Sequence, residues 1–340
     1  MRALVVGGTG PTGPLIVRGL IQRGYDVTIY HRGEHEAPEL PTVQGHLHGD
    51  PNNPEDLARD LAGSSWDLVC SMYGRLRHVA DVCAGRCDRF IGIGSMTGNV
   101  PQDLLPFPEG RAVPVDEAYP RLTERAPGYE RQWAIADSER QAMAHHARGH
   151  FAATMLRYTA IYGPRARGQW LWPAVRRIMD GRPHIIVPGE GTAVSPICFT
   201  ENAAHQVLCA VDRTESSGEA FNSVDRKMFY LRDLLQIIAG ELGHRWEVVQ
   251  VHHPLAAKLA AGYGRPNRPV DTTKLASLLG YEDAVRQDEA VRQTARWLWD
   301  RRDELVREDT SNPYAYDLED KLIGSYRRWS EEAGKLDANP

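Results

Sequence analysis

The sequence predicts an α/β protein: a doubly wound parallel sheet with a smaller, mostly C-terminal second domain. Three observations predict it. The chain opens on a fully apolar run, Ala3-Leu4-Val5-Val6, of the kind buried on both faces of a parallel sheet. Short apolar strands then alternate with helical stretches as far as Arg157. After Gly163-Pro164 that alternation weakens.

The elements follow in order. Glycines end the first strand, and a helix runs from about Pro14 to Arg23, stopped by Gly24. Val27-Thr28-Ile29-Tyr30 is the second strand, so residues 1–32 form one βαβ unit. A short strand near Val43 to Leu47, a helix near Pro54 to Leu61 and a strand at Asp67 to Ser71 come next. A helix around Arg77 to Ala84 and a strand at Phe90 to Ile93 extend the pattern. Residues 99–128, rich in Pro, Gly and charge, read as a long loop beside a site. A helix from about Tyr129 to His146 and a strand at Ala153 to Arg157 resume the alternation.

The expected domains are 1–168, completed by about 197–225, for the sheet, and 169–196 with 226–310 for substrate. A helical appendage follows at 311–340. There Leu318, Leu322, Ile323, Tyr326 and Trp329 share one helical face, which predicts packing on the body or on a subunit partner.

Composition narrows the partners. A net charge of -5 gives no electrostatic reason to expect nucleic acid or an anionic membrane, so a small molecule is the expected partner. Five scattered cysteines and an opening strand with no signal sequence fit the cytoplasm. Cys83 and Cys87 could face one another on a helix, but no second pair has metal-ligand spacing, so buried thiols and no metal are expected. His145 and His146 adjoin on a helix, point about 100° apart and cannot form an i, i+4 ligand pair. Arg176 and Arg177 could meet an anion, although a solvated helix face is the commoner outcome.

Gly7-Gly8-Thr9-Gly10-Pro11-Thr12-Gly13 joins a strand to a helix with glycines three apart, where a pyrophosphate can approach the helix start without meeting side chains. This is the Rossmann arrangement for a nicotinamide dinucleotide, with Gly7, Thr9, Gly10, Pro11, Thr12 and Gly13 as its contacts. An NAD site places Asp or Glu at the end of the second strand, to accept hydrogen bonds from the ribose hydroxyls. Here that place holds His31-Arg32, and Asp26 lies at the opposite edge of the sheet. Arg32 offers a charge-assisted donor to a 2′-phosphate, worth about 1.5 to 3 kcal/mol, so NADP(H) is expected ahead of NAD(H), with a solvated loop arginine as the alternative.

The glycine loop, Gly49-Asp50, Ser95, Arg157-Tyr158-Thr159-Ala160-Ile161-Tyr162-Gly163-Pro164 and Pro188-Gly189-Glu190-Gly191 together resemble the extended short-chain dehydrogenases, the NAD-dependent epimerase/dehydratase family, over residues 1–300. The resemblance implies that Asp50 touches adenine, with turn capping as the alternative. It further implies that Ser71, Met72 and Tyr73 pass the ribose, that Tyr158 joins the cofactor site, and that the protein is a dimer.

The same resemblance implies a Ser or Thr, a Tyr, and a Lys four residues after that Tyr, because the ammonium lowers the phenol pKa and holds the nicotinamide ribose. Ser95 matches the first and Tyr129 the second, which places Trp133 at the lysine. Registering the helix on Glu139, by its spacing to Arg157, shifts the pair to Arg131 and Ile135. In both registers the lysine is missing, since the first lysine in the chain is Lys227.

Three chemistries fit this departure. In the first, Tyr129 and Ser95 polarise a carbonyl, with Arg131 or a histidine such as His78 supplying charge, and NADPH reduces it. In the second, the protein isomerises, dehydrates or cyclises its substrate without net redox change. In the third, the site is inactive and senses the dinucleotide. Val194-Ser195-Pro196-Ile197 lacks the arginine with which nucleotide-sugar enzymes of this family hold a diphosphate, so a small non-nucleotide substrate is expected. Thr97, Trp133, Trp170 and Trp172 are its expected wall, with domain packing as the alternative for the last two.

Overall fold

The computed structural model describes residues 1–72, 76–101, 113–260, 267–309 and 314–337. The first half is built from β1 (Arg2–Val6), α1 (Gly13–Gln22), β2 (Asp26–His31), β3 (Gly45–His48), α2 (Pro54–Asp60), β4 (Trp66–Met72), α3 (Leu76–Cys83), β5 (Cys87–Ser95), α4 (Glu130–Ala147) and β6 (Ala152–Tyr158). Then come β7 (Ala160–Tyr162), α5 (Trp172–Met179), β8 (His184–Pro188), β9 (Ile197–Phe199), α6 (Thr200–Asp212), β10 (Ala220–Ser223), α7 (Leu231–Glu241) and β11 (Glu247–Val251). The chain ends with α8 (Pro254–Leu259), α9 (Thr273–Leu279), α10 (Gln287–Asp300), α11 (Arg302–Glu308) and α12 (Tyr316–Asp337).

Seven strands form one sheet in the order β10-β6-β5-β4-β1-β2-β3, and every pairing in it is parallel. The doubly wound fold expected from the alternation is therefore the fold observed. The strand order reverses between β1 and β4, and ligands of open α/β sheets bind in the crevice at such a reversal, beyond the carboxyl ends of the strands. Val6 is level with both Tyr30 and Ser71, which brings Gly7, His31 and Met72 to one edge.

Both faces of the sheet are covered. Ile16, Val17 and Leu20 of α1 pack with Ala203, Val207 and Ala210 of α6 on one face. Leu57, Val79, Ala80 and Ala142 cover the other. Fully burying a side chain such as Leu20 is worth about 1.5 to 3 kcal/mol, and this burial holds the start of α1 against the mouth of β1.

A further core joins α5, α7 and α10 to β8 through Val175, Leu234, Leu235, Ile238, Leu298 and Ile185. β8 pairs with β11, and β7 with β9, in two small sheets.

The appendage packs on the body through part of its apolar face. Ile323 is buried among Ile186, Val249 and Val251, with Leu322 and Tyr326 beside it, but Leu318 is 41% and Trp329 60% exposed. The helix is turned so that Glu319, 1% exposed, meets the buried Arg177 instead. A buried ion pair, with Arg182 adding a bond to Asp320, fixes the rotation that an apolar stripe alone leaves free. Among the described residues no helix is long and apolar enough to cross a membrane.

Candidate active site

The glycine loop is shaped by what cannot fit there. Gly7 has φ +89°, donates its N–H to Tyr30 O at 2.9 Å, and lies so close to β4 that a Cβ would stand 2.7 Å from Met72 O. At Gly13 a Cβ would stand 2.0 Å from Gly8 O, so only glycine lets the helix begin against the loop. Gly10 is different: its nearest neighbour would be 3.7 Å away. The loop is packed tightly from behind and bare in front, which fits a pyrophosphate at the start of α1.

Ser71 on β4 is fully buried, and its Oγ has no hydrogen-bond partner among the described residues. Met72 contributes backbone through its contact with Gly7, and Tyr73 lies outside the described residues. Thr12, the residue before α1, is 3% exposed and bonds the phenol of Tyr158. Tyr158 itself donates to Ala203 O at 3.3 Å, and burial pushes its phenol well above the ordinary value. Tyr158 thus packs beneath the loop, in the core that backs α1.

Arg165 escaped the sequence reading. It follows Gly163-Pro164, has φ +64°, and places Nη2 3.2 Å from Thr9 O while Nη1 pairs with Glu39 at 3.0 Å. It brings a cation to the front of the glycine loop. The only sequence signal was its place after a Gly-Pro pair at the carboxyl edge.

At the end of β2, Arg32 pairs with Glu34 at 3.0 Å, and both side chains are about half exposed. Asp50 Oδ1 accepts Asn52 N at 2.9 Å and Asn52 Nδ2 at 3.0 Å, which caps the turn before α2. His31 is 5% exposed and turns toward His46 rather than toward the crevice.

The reaction end is organised by Glu139. Arg157 donates to it through Nε at 3.1 and 3.2 Å and Nη2 at 2.7 Å, and Arg121 donates through Nη2 at 2.8 Å. Burial lowers the Arg121 guanidinium to about 10, so it still carries its charge at neutral pH. This cluster holds α4 against β6 through the Glu139–Arg157 pair on which the second register is counted, the one that assigns Arg131 and Ile135 to the Tyr and Lys positions of the resemblance. Tyr129 is the residue before α4 and is not among the described lining of the cavity below.

Ser95 ends β5, where its Oγ donates to Tyr158 O at 3.0 Å and accepts from Thr97 N at 3.2 Å and Thr97 Oγ1 at 3.1 Å. Its hydroxyl caps the turn Met96–Gly98 and has little capacity left for a substrate. Thr97 is exposed on that turn.

A cavity of about 380 Å³ opens between α3, β5 and α4, lined by Leu76, Ile93, Ile135 and Trp133 together with Arg77, Arg125 and Arg131. Arg125 lies 4.3 Å above the Trp133 ring, whose Nε1 donates to Thr123 O at 3.4 Å. Glu130 also lines it, held below the usual carboxylate range by its own and the Gly128 N–H groups, and is therefore ionised rather than a proton donor. No phenol and no ammonium appear in the described lining. Trp170 and Trp172, expected on this wall, are 5% and 6% exposed in the core of α5, α7 and α10. Apolar area drew them into packing, and the cavity has arginines in their stead.

The sequence model of the NAD dependent epimerase/dehydratase family matches residues 123–223. The uncharacterized protein YbjS of Escherichia coli is 24% identical over 170 residues, 43% of this chain, and the match spans half of YbjS. UDP-N-acetyl-alpha-D-glucosaminuronate decarboxylase of Bacillus cytotoxicus is 22% identical over 87% of this chain and 97% of its own length. Among solved structures, the dTDP-glucose 4,6-dehydratase DesIV of Streptomyces venezuelae, with NAD bound, superposes with a TM-score of 0.65 at 19% identity over 89% of this chain and 98% of its own. The resemblance read from the sequence therefore holds: the chain has the fold of the NAD-dependent epimerases and dehydratases, and its residues 123–223 carry that family's sequence pattern.

Proposed function

We propose that the protein is an NADP(H)-dependent oxidoreductase that reduces a carbonyl group on a small, anionic, non-nucleotide organic molecule. The observation that carries this reading is the cavity at β5 and α4, where Arg77, Arg125 and Arg131 converge on a space of about 380 Å³. That volume lies within the range of small-molecule pockets. Guanidinium groups recognise a carboxylate bidentately.

The residues present fit a nicotinamide dinucleotide. Bare backbone at Gly10 and the cation of Arg165 face the place of the pyrophosphate. When bound, the cofactor supplies hydride. Arg32 exchanges Glu34 for a 2′-phosphate, a preference supported by His31-Arg32 standing at the carboxyl end of β2, whose one carboxylate, Asp26, lies at the other end. Arg131 orients the carbonyl and stabilises charge developing on its oxygen, while Arg77 and Arg125 hold the substrate's anionic end. With no phenol in the described lining, the proton comes from water.

Following nicotinamide absorbance with a panel of small keto acids tests this. Wild type consumes NADPH, and Arg131→Met loses about ten- to a hundredfold in kcat/KM, the worth of a charge-assisted hydrogen bond. An unchanged kcat/KM removes Arg131 from the chemistry. Arg32→Ala should erase the preference for NADPH over NADH. The saturated Ser95 hydroxyl and the apolar Ile135 favour a second reading, non-redox turnover or dinucleotide sensing. Product without net cofactor change, or tight binding without product, selects it.

A further inference from the structure

Outside the cavity, a second cluster of chemical groups lies at the exposed corner where β2 and β3 end. Strand periodicity puts His46 and His48 on the same face of β3, and the parallel register sets His48 beside His31. The three imidazole centroids are 4.7 to 4.9 Å apart. Glu36, returning in the loop between the two strands, aims Oε1 into the middle, 3.7 Å from His31 Nε2, 3.8 Å from His46 Nε2 and 3.5 Å from His48 Nε2.

We propose that His31, His46, His48 and Glu36 form a binding site for a divalent transition-metal ion of the zinc class. Ligand atoms, one from each of the four side chains and all within 4.8 Å of one another, make the donor set such an ion takes. Tetrahedral bonds of about 2.0 to 2.2 Å place ligand atoms about 3.4 Å apart. The three distances from Glu36 need only a few tenths of an ångström of contraction. The contact that must open is His31 Nε2 to His46 Nε2, now 2.5 Å, and His46 can move because its side chain is 34% exposed.

Ring chemistry favours this occupant. Three imidazoles on one carboxylate suit a borderline cation better than Ca²⁺ or Mg²⁺, which take oxygen ligands. Without metal, the Gly33 N–H donates to His31 Nδ1 at 3.1 Å, which leaves the proton of the neutral ring on Nε2, facing His46. Loading moves that proton: Nε2 releases one to water and binds the ion, and Nδ1 takes one up. The Gly33 peptide, at φ +76° and exposed, then turns its N–H away. Cysteine spacing and i, i+4 helical histidines do not reveal this site, because its ligands come from two adjacent strands and the loop joining them.

The site stands apart from the dinucleotide reading and is tested without any dinucleotide. Untagged full-length protein, stripped by chelator dialysis, is titrated calorimetrically with zinc chloride, and Co²⁺ is added separately to read coordination from its visible absorption. One equivalent should bind with submicromolar affinity, and Co²⁺ should give the intense bands of a four-coordinate site. His46→Ala and His48→Ala, both at exposed positions, should each weaken zinc by more than about a hundredfold, beyond the ten- to hundredfold loss typical of an outer partner. Their far-UV circular dichroism and unfolding midpoint without metal should match wild type. No zinc binding by wild type, or stoichiometric binding that survives in the His46→Ala/His48→Ala double variant, overturns the proposal.

Discussion

Replacing Glu139 with alanine tests the electrostatic centre on which the register of α4 depends. The carboxylate is 7% exposed and accepts three hydrogen bonds from Arg157, itself 6% exposed, and one from Arg121. Its removal leaves the buried Arg157 and the partly buried Arg121 without the carboxylate they share. Breaking a buried pair by deleting one partner costs about 3 to 5 kcal/mol, because the surviving charge stays desolvated. The second cation puts Glu139→Ala at the upper end of that range. Urea unfolding, followed by both tryptophan fluorescence and far-UV circular dichroism, measures it, and agreement between the probes licenses one free energy. Arg157→Met alone should cost less, since Glu139 keeps Arg121. The two changes should couple by about 2 kcal/mol in a double-mutant cycle. A loss below about 1 kcal/mol for Glu139→Ala, the worth of an exposed pair, would refute the argument.

Asp225 is fully buried and accepts from Phe199 N, Asn202 Nδ2 and the Tyr162 hydroxyl, yet desolvation pushes its carboxyl up to about 6. A folded-state value above the unfolded one stabilises fully below about pH 4 and is lost as pH rises through 6. The stability of wild type relative to Asp225→Asn should therefore fall by up to about 3 kcal/mol between pH 4 and pH 7, and a flat difference contradicts the assignment. Glu319→Ala strands the buried Arg177 and should release α12, seen as faster tryptic cleavage within residues 316–337. Unchanged cleavage would show that Ile323 and its neighbours hold the helix unaided.

The sheet was legible because its strands are apolar and its turns carry glycine; the alternation of short apolar runs with helical stretches placed nearly every element from β1 to β6 within a few residues. The glycine loop was legible for the same reason, since backbone that must be bare has only one residue type available. The contents of the cavity were not. Trp170 and Trp172 have the composition of a binding wall and equally of a core, and only the packing of α5 on α7 and α10 distinguishes the two. The register of α4 turned on a single partner choice, Glu139 with Arg157, which the sequence offered without ranking. Arg165, the histidine corner and the Arg177–Glu319 pair bring together residues from separate elements, and no local pattern announces them.

Whether the mouth of β1 seats a dinucleotide is decided at Gly10, where a side chain has room in the folded chain but occupies the approach to the start of α1. Calorimetric titration of NADPH into wild type and Gly10→Val, with unfolding midpoints recorded for both, should show binding to wild type, loss of it in the variant, and midpoints that coincide. Equal NADPH affinity in the two proteins, or none in either, would contradict the account.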